Sequence, residues 1–168
     1  MRVLDSGMIA QGPEVAAFEV EFSRFMEGHH CIAVNSGTSA LHLGLLASGI
    51  ECGDEVIIPS FTFAATANAV ALCGATPVFV DIDIETFTMD PKAAEAAITE
   101  NTSAIMPVHL YGHPTNMDPL TEICSRKGLT LLEDAAQAHL ATYKSQPVGT
   151  FGTAAFSFYP TKNMTSGE

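Results

Sequence analysis

Residues 131–139 read LLEDAAQAH, a short apolar run that ends at two adjacent carboxylates. Continuous apolar runs, in contrast to alternating ones, are typical of strands buried on both faces of a parallel sheet. Ligands in such sheets bind beyond the carboxyl ends of the strands. Glu133 and Asp134 therefore stand where a functional site is expected, and one of them must face the crevice or be buried at a cost.

Similar apolar runs alternate with helical patterns along the whole 168-residue chain. This alternation predicts an α/β fold of three layers, α/β/α, in which helices cover both faces of a mostly parallel sheet. We expect residues 1–168 to form a single domain. The predicted strands are 31–34, 55–58, 77–80, 104–108, 129–132 and 154–158, and the predicted helices are 13–27, 38–47, 63–72, 91–98 and 119–127.

The amino-acid composition of the chain argues against two classes of protein, membrane proteins and nucleic-acid-binding proteins. Apolar residues make up 47% of the chain and charged residues 15%, below the roughly 25% of an average soluble protein. Polar residues interrupt every apolar run before the about 20 residues that a membrane span needs, so we expect no membrane partner. The net charge of −12 argues against nucleic-acid binding, which depends on basic patches.

Four cysteines are scattered without a CxxC pair, and the N-terminal residues lack a secretory pattern. We therefore expect a cytoplasmic protein. We expect no metal site either. His109 and His113 have the spacing of helical metal ligands, but Gly112 and Pro114 argue against a helix between them.

A second segment with functional potential is NSGTS at residues 35–39, between a predicted strand and a predicted helix. Free backbone N–H groups at a helix start, together with hydroxyls and a glycine that permits close approach, form an anion site. The same residues also suit an ordinary helix cap by Ser36 or Thr38. The sequence leaves both interpretations open.

Two further side chains complete a pattern. Asp134 can hold a ring nitrogen in its protonated form, because a nearby negative charge favours the positively charged state, or it can simply cap a helix. Lys162 follows the last predicted strand in the segment FSFYPTKN, residues 156–163. An amine in a crevice can bond covalently to a carbonyl cofactor, although it can also be an ordinary surface lysine.

Taken together, the strand ends offer a phosphate cradle, a carboxylate and an amine. Pyridoxal 5'-phosphate (PLP) requires these three features: a lysine for its aldehyde, a carboxylate at its pyridine nitrogen and an anchor for its phosphate. The combination is much more specific than any of its parts, and it predicts PLP as the cofactor.

These residues lie within a longer resemblance. From about residue 4 to residue 168, the sequence closely resembles the DegT/DnrJ/StrS family of PLP-dependent sugar aminotransferases, which have the aspartate-aminotransferase-like fold type I. The segments that carry the resemblance are 11–15 (QGPEV), 35–41 (NSGTSAL), 53–57 (GDEVI), 59–63 (PSFTF), 74–81 (GATPVFVD), 108–112 (VHLYG), 133–139 (EDAAQAH) and 156–162 (FSFYPTK).

The resemblance implies two catalytic residues. Lys162 matches the family lysine that bonds to the cofactor and then carries a proton between substrate and cofactor. Asp134 matches the carboxylate that pairs with the pyridinium nitrogen. A lysine at position 162 is also unlike the sugar dehydrase branch of the family, in which a histidine replaces it.

The resemblance also implies a set of cofactor contacts. Gly37, Thr38 and Ser39 match the phosphate-binding turn, and Ser157 matches a second phosphate contact. Phe63 matches the aromatic residue that stacks on the cofactor ring. Gln137 matches a side chain near the ring hydroxyl.

The implied reaction moves an amino group from a donor, usually glutamate, to a nucleotide-linked keto sugar in polysaccharide or amino-sugar biosynthesis. Family members are homodimers with shared active sites and run to roughly twice this length. The chain stops at residues 166–168 (SGE). We therefore expect an incomplete PLP-binding large domain that lacks the small domain and is inactive alone.

Two alternatives remain open at this stage. One is another PLP enzyme of fold type I, such as a lyase or a cysteine desulfurase. The other is a non-catalytic regulator or binding fragment that retains the fold. The sequence also departs from the family pattern between the Asp134 and Lys162 segments. Leu140 and Ser145 stand where glycine is usual, and Thr153 where aspartate is common.

Overall fold

A computed structural model describes residues 2–166, so Gly167 and Glu168 at the end of the resemblance lie outside the described residues. The chain forms two compact units, one ending at Val34 and the other beginning at Asn35. No helix among residues 2–166 combines the length and apolarity needed to cross a membrane.

The first unit contains helices α1 (Arg2–Ser6) and α2 (Pro13–Phe25). Pro13 occupies the first position of α2, where its missing N–H costs nothing. The rings of Phe18 and Phe22 stack with centroids 5.6 Å apart. The helix predicted at 13–27 is confirmed, and it ends two residues early because Glu27 adopts a left-handed φ of 53°.

The strand predicted at 31–34 is wrong. These residues form no strand in the structure, and Ile32 is 81% exposed. The backbone N–H of Ala33 instead donates to the Glu19 carboxylate at 2.7 Å. An apolar run becomes a strand only when a neighbouring strand pairs with its backbone, and this segment has no such neighbour among the described residues.

The second unit is built on a parallel five-stranded sheet in the order β2-β1-β3-β4-β7. Its strands are short apolar runs, as predicted. Their bounds are β1 Glu55–Pro59, β2 Thr76–Val80, β3 Thr102–Ile105, β4 Thr130–Asp134 and β7 Thr153–Ala155. The predicted strands 104–108 and 154–158 are confirmed in existence, although β3 starts and stops earlier and β7 stops three residues sooner.

Helices cover both faces of this sheet, which confirms the predicted three-layer α/β/α class. Two separate hydrophobic cores lie on opposite sides of the strands. One contains Leu41 and Leu45, and the other contains Leu120 and Ile123. The helices are α3 Gly37–Ala47, α4 Ala65–Leu72, α5 Pro91–Ala96 and α6 Met117–Lys127.

A small antiparallel hairpin, which the sequence did not reveal, joins β4 to β7. It pairs β5 (Thr142–Tyr143) with β6 (Gln146–Pro147). Its two turn residues, Lys144 and Ser145, have φ of 50° and 71°, the pair of left-handed residues that a tight hairpin turn requires.

At the opposite edge, β2 has β1 as its single neighbour among the described strands, and it contains Pro77. The N–H of Thr76 donates to the Asp54 carbonyl on the β1 side at 2.8 Å. Successive residues of a parallel strand point their N–H groups to opposite sides, so the nitrogen of Pro77 faces the open edge.

Candidate active site

The site lies at the carboxyl edge of β4 and β7. Parallel pairing sets Asp134 beside Ala155, and the N–H of Ala135 donates to the Ala155 carbonyl at 2.9 Å. Ser157 and Lys162 follow β7 at this same edge. The register of one strand pair thus brings together two segments that the sequence marked separately.

Asp134 is almost fully buried, with 5% of its surface exposed. Its Oδ2 accepts a hydrogen bond from Thr66 Oγ1 at 2.8 Å, and its Oδ1 accepts one from the N–H of Ala136 at 3.2 Å. Burial raises the pKa of this carboxyl, while those two bonds and the charge of Lys162 act in the opposite direction. The hydrogen bonds and the positive charge around Asp134 therefore only partly offset the free-energy cost of burying its negative charge.

Glu133, the other carboxylate, is buried completely and points into the protein. Its Oε1 accepts from the N–H groups of Phe151 and Gly152 at 2.9 and 3.1 Å. Its Oε2 accepts from the N–H of Gly149 at 2.9 Å and lies 3.1 Å from His109 Nε2. Both carboxylates are therefore buried, and Glu133 joins β4 to the loop that leads into β7.

The tautomer of His109 follows from its two partners. The N–H of Thr115 donates to His109 Nδ1 at 3.0 Å, so Nδ1 carries no proton. Nε2 therefore carries the proton and donates it to Glu133. Both ring nitrogens are satisfied within the protein, and no cluster of metal-binding side chains occurs among residues 2–166.

The segment predicted to bind phosphate opens helix α3, and it is also capped. Ser36 Oγ accepts from the N–H of Ser39 at 3.1 Å and lies 3.0 Å from the hydroxyl of Ser39. The N–H groups of Gly37 and Thr38 have no hydrogen-bond partner among the described residues. The cap therefore satisfies part of the helix start and leaves two donors for an anion.

Gly37 lies against Ser157. A Cβ atom added at Gly37 would come within 2.8 Å of Ser157 Cβ, closer than real Cβ atoms approach, and within 3.1 Å of its Oγ. Any other residue at position 37 would push the start of α3 away from the end of β7. The glycine thus keeps the Ser157 hydroxyl next to the free N–H groups of the helix.

Phe63 and Gln137 line one cleft of about 220 Å³, together with Phe61, Thr62, Leu110 and Tyr111. Phe63 is 70% exposed and forms an open wall of the cleft. The N–H of Tyr111 donates to Gln137 Oε1 at 2.7 Å, and Tyr111 itself adopts a left-handed φ of 53°. Because Oε1 is occupied, the amide nitrogen of Gln137 remains available as a donor.

Lys162 occupies the turn after β7, where its N–H donates to the Tyr159 carbonyl at 2.9 Å. Its positive charge lowers the pKa of Asp134 and of His139, which places the ammonium within electrostatic range of both. The structure thus places Lys162 and Asp134 at one edge of the sheet. Gly37 and Ser157 are in direct contact with each other, and Phe63 and Gln137 line one cleft.

Sequence reasoning missed Thr66, Tyr111 and the pairing of His109 with Glu133. Thr66 is fully buried in α4 and bonds to a residue 68 positions away. A threonine inside an apolar helix carries no signal of such a long-range contact. His109 did carry a weak signal, its spacing from His113, but that spacing suggests a metal ligand and not a partner of Glu133.

Comparisons with known proteins were made for the whole chain. The model of the DegT/DnrJ/EryC1/StrS aminotransferase family matches residues 1–168. The chain is 52% identical over 164 residues to a dTDP-3-amino-3,4,6-trideoxy-alpha-D-glucose transaminase of Streptomyces venezuelae, covering 97% of this chain and 43% of that protein. It is 51% identical over 158 residues to a GDP-perosamine synthase of Caulobacter vibrioides, covering 94% and 43%.

Among solved structures, NtdA of Bacillus subtilis with its bound cofactor PMP superposes with a TM-score of 0.92 at 40% identity. The match covers 98% of this chain and 37% of NtdA. The chain thus spans less than half the length of the relatives it matches. The family match over residues 1–168 and the identities above 50% agree, and the chain belongs to the DegT/DnrJ/EryC1/StrS aminotransferase family.

Proposed function

We propose that the protein is a PLP-dependent transaminase that transfers an amino group, from a donor such as glutamate, to a nucleotide-linked keto sugar. The buried Asp134 carboxylate, bonded to Thr66 and within range of the Lys162 charge, is the observation that carries the proposal. The proposal is also supported by relatives whose names specify a dTDP-sugar transaminase and a GDP-perosamine synthase.

The residues present fit the cofactor chemically. The free N–H groups of Gly37 and Thr38 and the hydroxyl of Ser157 are three neutral donors suited to a phosphate. The contact between Gly37 and Ser157 leaves no room for a side chain at position 37, as expected where backbone must approach a ligand. Asp134 supplies a buried negative charge, and Lys162 supplies the amine.

PLP, when bound, supplies an electron sink that stabilises negative charge on the amino-bearing carbon. The protein's own groups prepare and direct that chemistry. Asp134 holds a proton on the ring nitrogen through its carboxylate, and Thr66 holds Asp134 in place. Lys162 moves a proton at Nζ. Phe63 forms one side of the cleft and offers its ring as a stacking surface for the cofactor.

We also propose Ser39 as part of the phosphate turn and Gln137 as an orienting residue. The amide of Gln137 is fixed by the N–H of Tyr111, so its nitrogen donates toward the cleft. Ser39 contributes through the first turn of α3, where its hydroxyl lies beside Ser36.

We also propose that the protein forms a homodimer and that it is located in the cytoplasm. Large apolar side chains such as Leu43 and Phe79 are half exposed, and a second subunit would cover surface of this kind. The four cysteines are all free thiols, which suits a reducing compartment. We propose no nucleic-acid or membrane partner.

The proposal is tested by adding PLP to the purified protein, reducing with borohydride and mapping the labelled peptide. We expect a pyridoxyl group on Lys162. The label should be absent from K162A and unchanged in K144A, which removes an exposed lysine. Labelling spread over surface lysines, with none on Lys162, would overturn the assignment of the cofactor site.

Amino transfer is then measured with the full-length protein, because we expect residues 1–168 to be inactive alone. It is incubated with glutamate and a series of dTDP- and GDP-linked keto sugars. The expected products are an amino sugar and 2-oxoglutarate in equal amounts. Release of ammonia or sulfide from amino acids, without 2-oxoglutarate, would instead identify a lyase or a desulfurase.

A further inference from the structure

We propose that His139 is a positioning residue for Lys162, acting through a two-point clamp on the neighbouring Asn163. The inference rests on the proposed function only for the role of Lys162, since the clamp itself is a property of the fold. His139 follows the β4 strand end, whereas Asn163 follows Lys162 in the turn after β7. The clamp therefore ties the two sides of the site together.

In the clamp, the first hydrogen bond fixes the orientation of the Asn163 amide and thereby determines the donor and acceptor of the second. Asn163 Nδ2 donates to the carbonyl of His139 at 3.4 Å, which fixes the orientation of the amide. Its Oδ1 then faces His139 Nδ1 at 2.7 Å and accepts a hydrogen bond. Because an amide oxygen can only accept, Nδ1 must carry the proton of the imidazole.

The imidazole is held on its remaining sides by aromatic rings. Its centroid lies 5.5 Å from that of Phe156 and 4.9 Å from that of Phe158, the latter edge-on. Nε2 is buried and has no hydrogen-bond partner among the described residues. A proton on Nε2 would therefore be an unsatisfied buried donor, so the neutral ring with its proton on Nδ1 is the form that fits.

The clamp restricts the turn that presents Lys162. Asn163 is joined directly to Lys162, so the lysine backbone cannot move away without breaking both bonds to His139. The bond from the Lys162 N–H to the Tyr159 carbonyl closes the same turn. A long, flexible amine gains most from such support, because its reaction rate depends on holding Nζ close to its target.

Two conservative substitutions separate this role from simple packing. In His139→Asn, the amide nitrogen takes the place of Nδ1 and can still donate to Asn163. In His139→Gln, the donor takes the place of Nε2 and faces the aromatic rings. Asn163→Ala removes the acceptor from an exposed position and leaves the core intact.

The first readout is hydrogen exchange of the Lys162 amide in protein without cofactor. We expect H139N to match the wild type and both H139Q and N163A to exchange roughly tenfold faster, the factor that loss of one ordinary hydrogen bond produces. The second readout is the rate at which added PLP is captured on Lys162, which should fall in the same two variants and be retained in H139N.

Equal exchange and equal capture rates in wild type, H139Q and N163A would overturn the clamp, as would equal losses in H139N and H139Q. If the exchange pattern is as expected but the wild type captures no PLP, the clamp stands and the proposed function fails. Melting temperatures of all variants identify any that is globally unfolded, and in that case N163A decides.

Discussion

At the scale of single residues, Asp134 combines a functional position with an unfavourable environment. Its pKa is raised above the ordinary value because burial penalises the charge. A carboxyl with a raised pKa contributes stability below its ordinary pKa and loses that contribution as the pH rises through its pKa in the folded protein. At neutral pH the charge of Asp134 therefore reduces the stability of the fold.

This cost predicts that Asp134→Asn separates stability from function. In the variant the amide oxygen can accept from the N–H of Ala136, and the amide nitrogen can donate to the Thr66 hydroxyl. Because the buried charge is removed as well, we expect a gain of about 0.5–2 kcal/mol in free energy of unfolding. In the full-length protein, PLP-dependent turnover should fall roughly a hundredfold or more, because the ring nitrogen loses its ionic partner. Urea unfolding and steady-state rates measure the two effects.

The exposed Asp5→Asn serves as control for Asp134→Asn and should change neither quantity. A loss of stability in D134N that matches its loss of turnover would mean that Asp134 is a structural residue.

Glu133 differs from Asp134 in its hydrogen bonding, because backbone N–H groups donate to both of its carboxylate oxygens. In Glu133→Gln, the new amide nitrogen meets N–H groups of the 149–152 loop that previously donated to a carboxylate oxygen. We expect a loss of about 1.5–3 kcal/mol, the value of a hydrogen bond to a charged group. The exposed Glu122→Gln is the matched control, and thermal melting of both variants would reveal the difference.

At the scale of the elements, the packing of α3 against the end of β7 depends on Gly37. Gly37→Ala should cost about 1–3 kcal/mol through overpacking against Ser157. It should also weaken PLP binding, because the start of the helix is displaced.

Adding Ser157→Gly removes the atoms with which the new methyl group of Gly37→Ala collides. The double variant should therefore lose less stability than the sum of the single variants. Additive losses, measured by urea unfolding, would show that the contact is not tight.

A second prediction at this scale concerns the connection between β4 and the hairpin. Leu140 adopts a φ of 60°, where a side chain costs about 1–2 kcal/mol, and its side chain is 49% exposed. Leu140→Gly should therefore raise the melting temperature. Leu140→Ala removes the same side chain but keeps the strained backbone, so it should not. An equal effect of the two substitutions would exclude strain as the reason.

The elements themselves were predictable where one local pattern determined them. Five helices and five parallel strands follow from apolar runs and their spacing. The strand predicted at 31–34 was wrong because an apolar run does not reveal whether a partner strand exists. The hairpin was missed because Lys144 and Ser145 lack the Asn-Gly signal of a tight turn. The bond from Thr66 to Asp134 depends on tertiary packing, which no local pattern encodes.

At the scale of the whole molecule, we expect His139 to contribute to the dependence of stability on pH. Burial lowers its pKa, the charge of Lys162 adds to this effect, and the hydrogen bond to Asn163 opposes it. A histidine with a lowered pKa stabilises the fold fully above its ordinary pKa of about 6.5. That contribution is lost as the pH falls from there through the pKa in the folded protein.

We therefore expect the free energy of unfolding of the wild type to decline as the pH is lowered below about 6.5. His139→Asn, which cannot be protonated, should show a shallower decline over the same range. Urea unfolding at a series of pH values provides the comparison. Identical slopes in the two proteins would assign the decline to other groups.

The outward-facing nitrogen of Pro77 has a consequence for the sheet as a whole. An edge strand with a full row of free N–H groups is a template on which strands of other molecules can add, and repeated addition leads to fibrils. Pro77 interrupts that row at the second residue of β2 without removing a bond to β1. In a chain this apolar and this poor in lysine, the absence of one hydrogen atom thus makes the β2 edge a poorer template for aggregation.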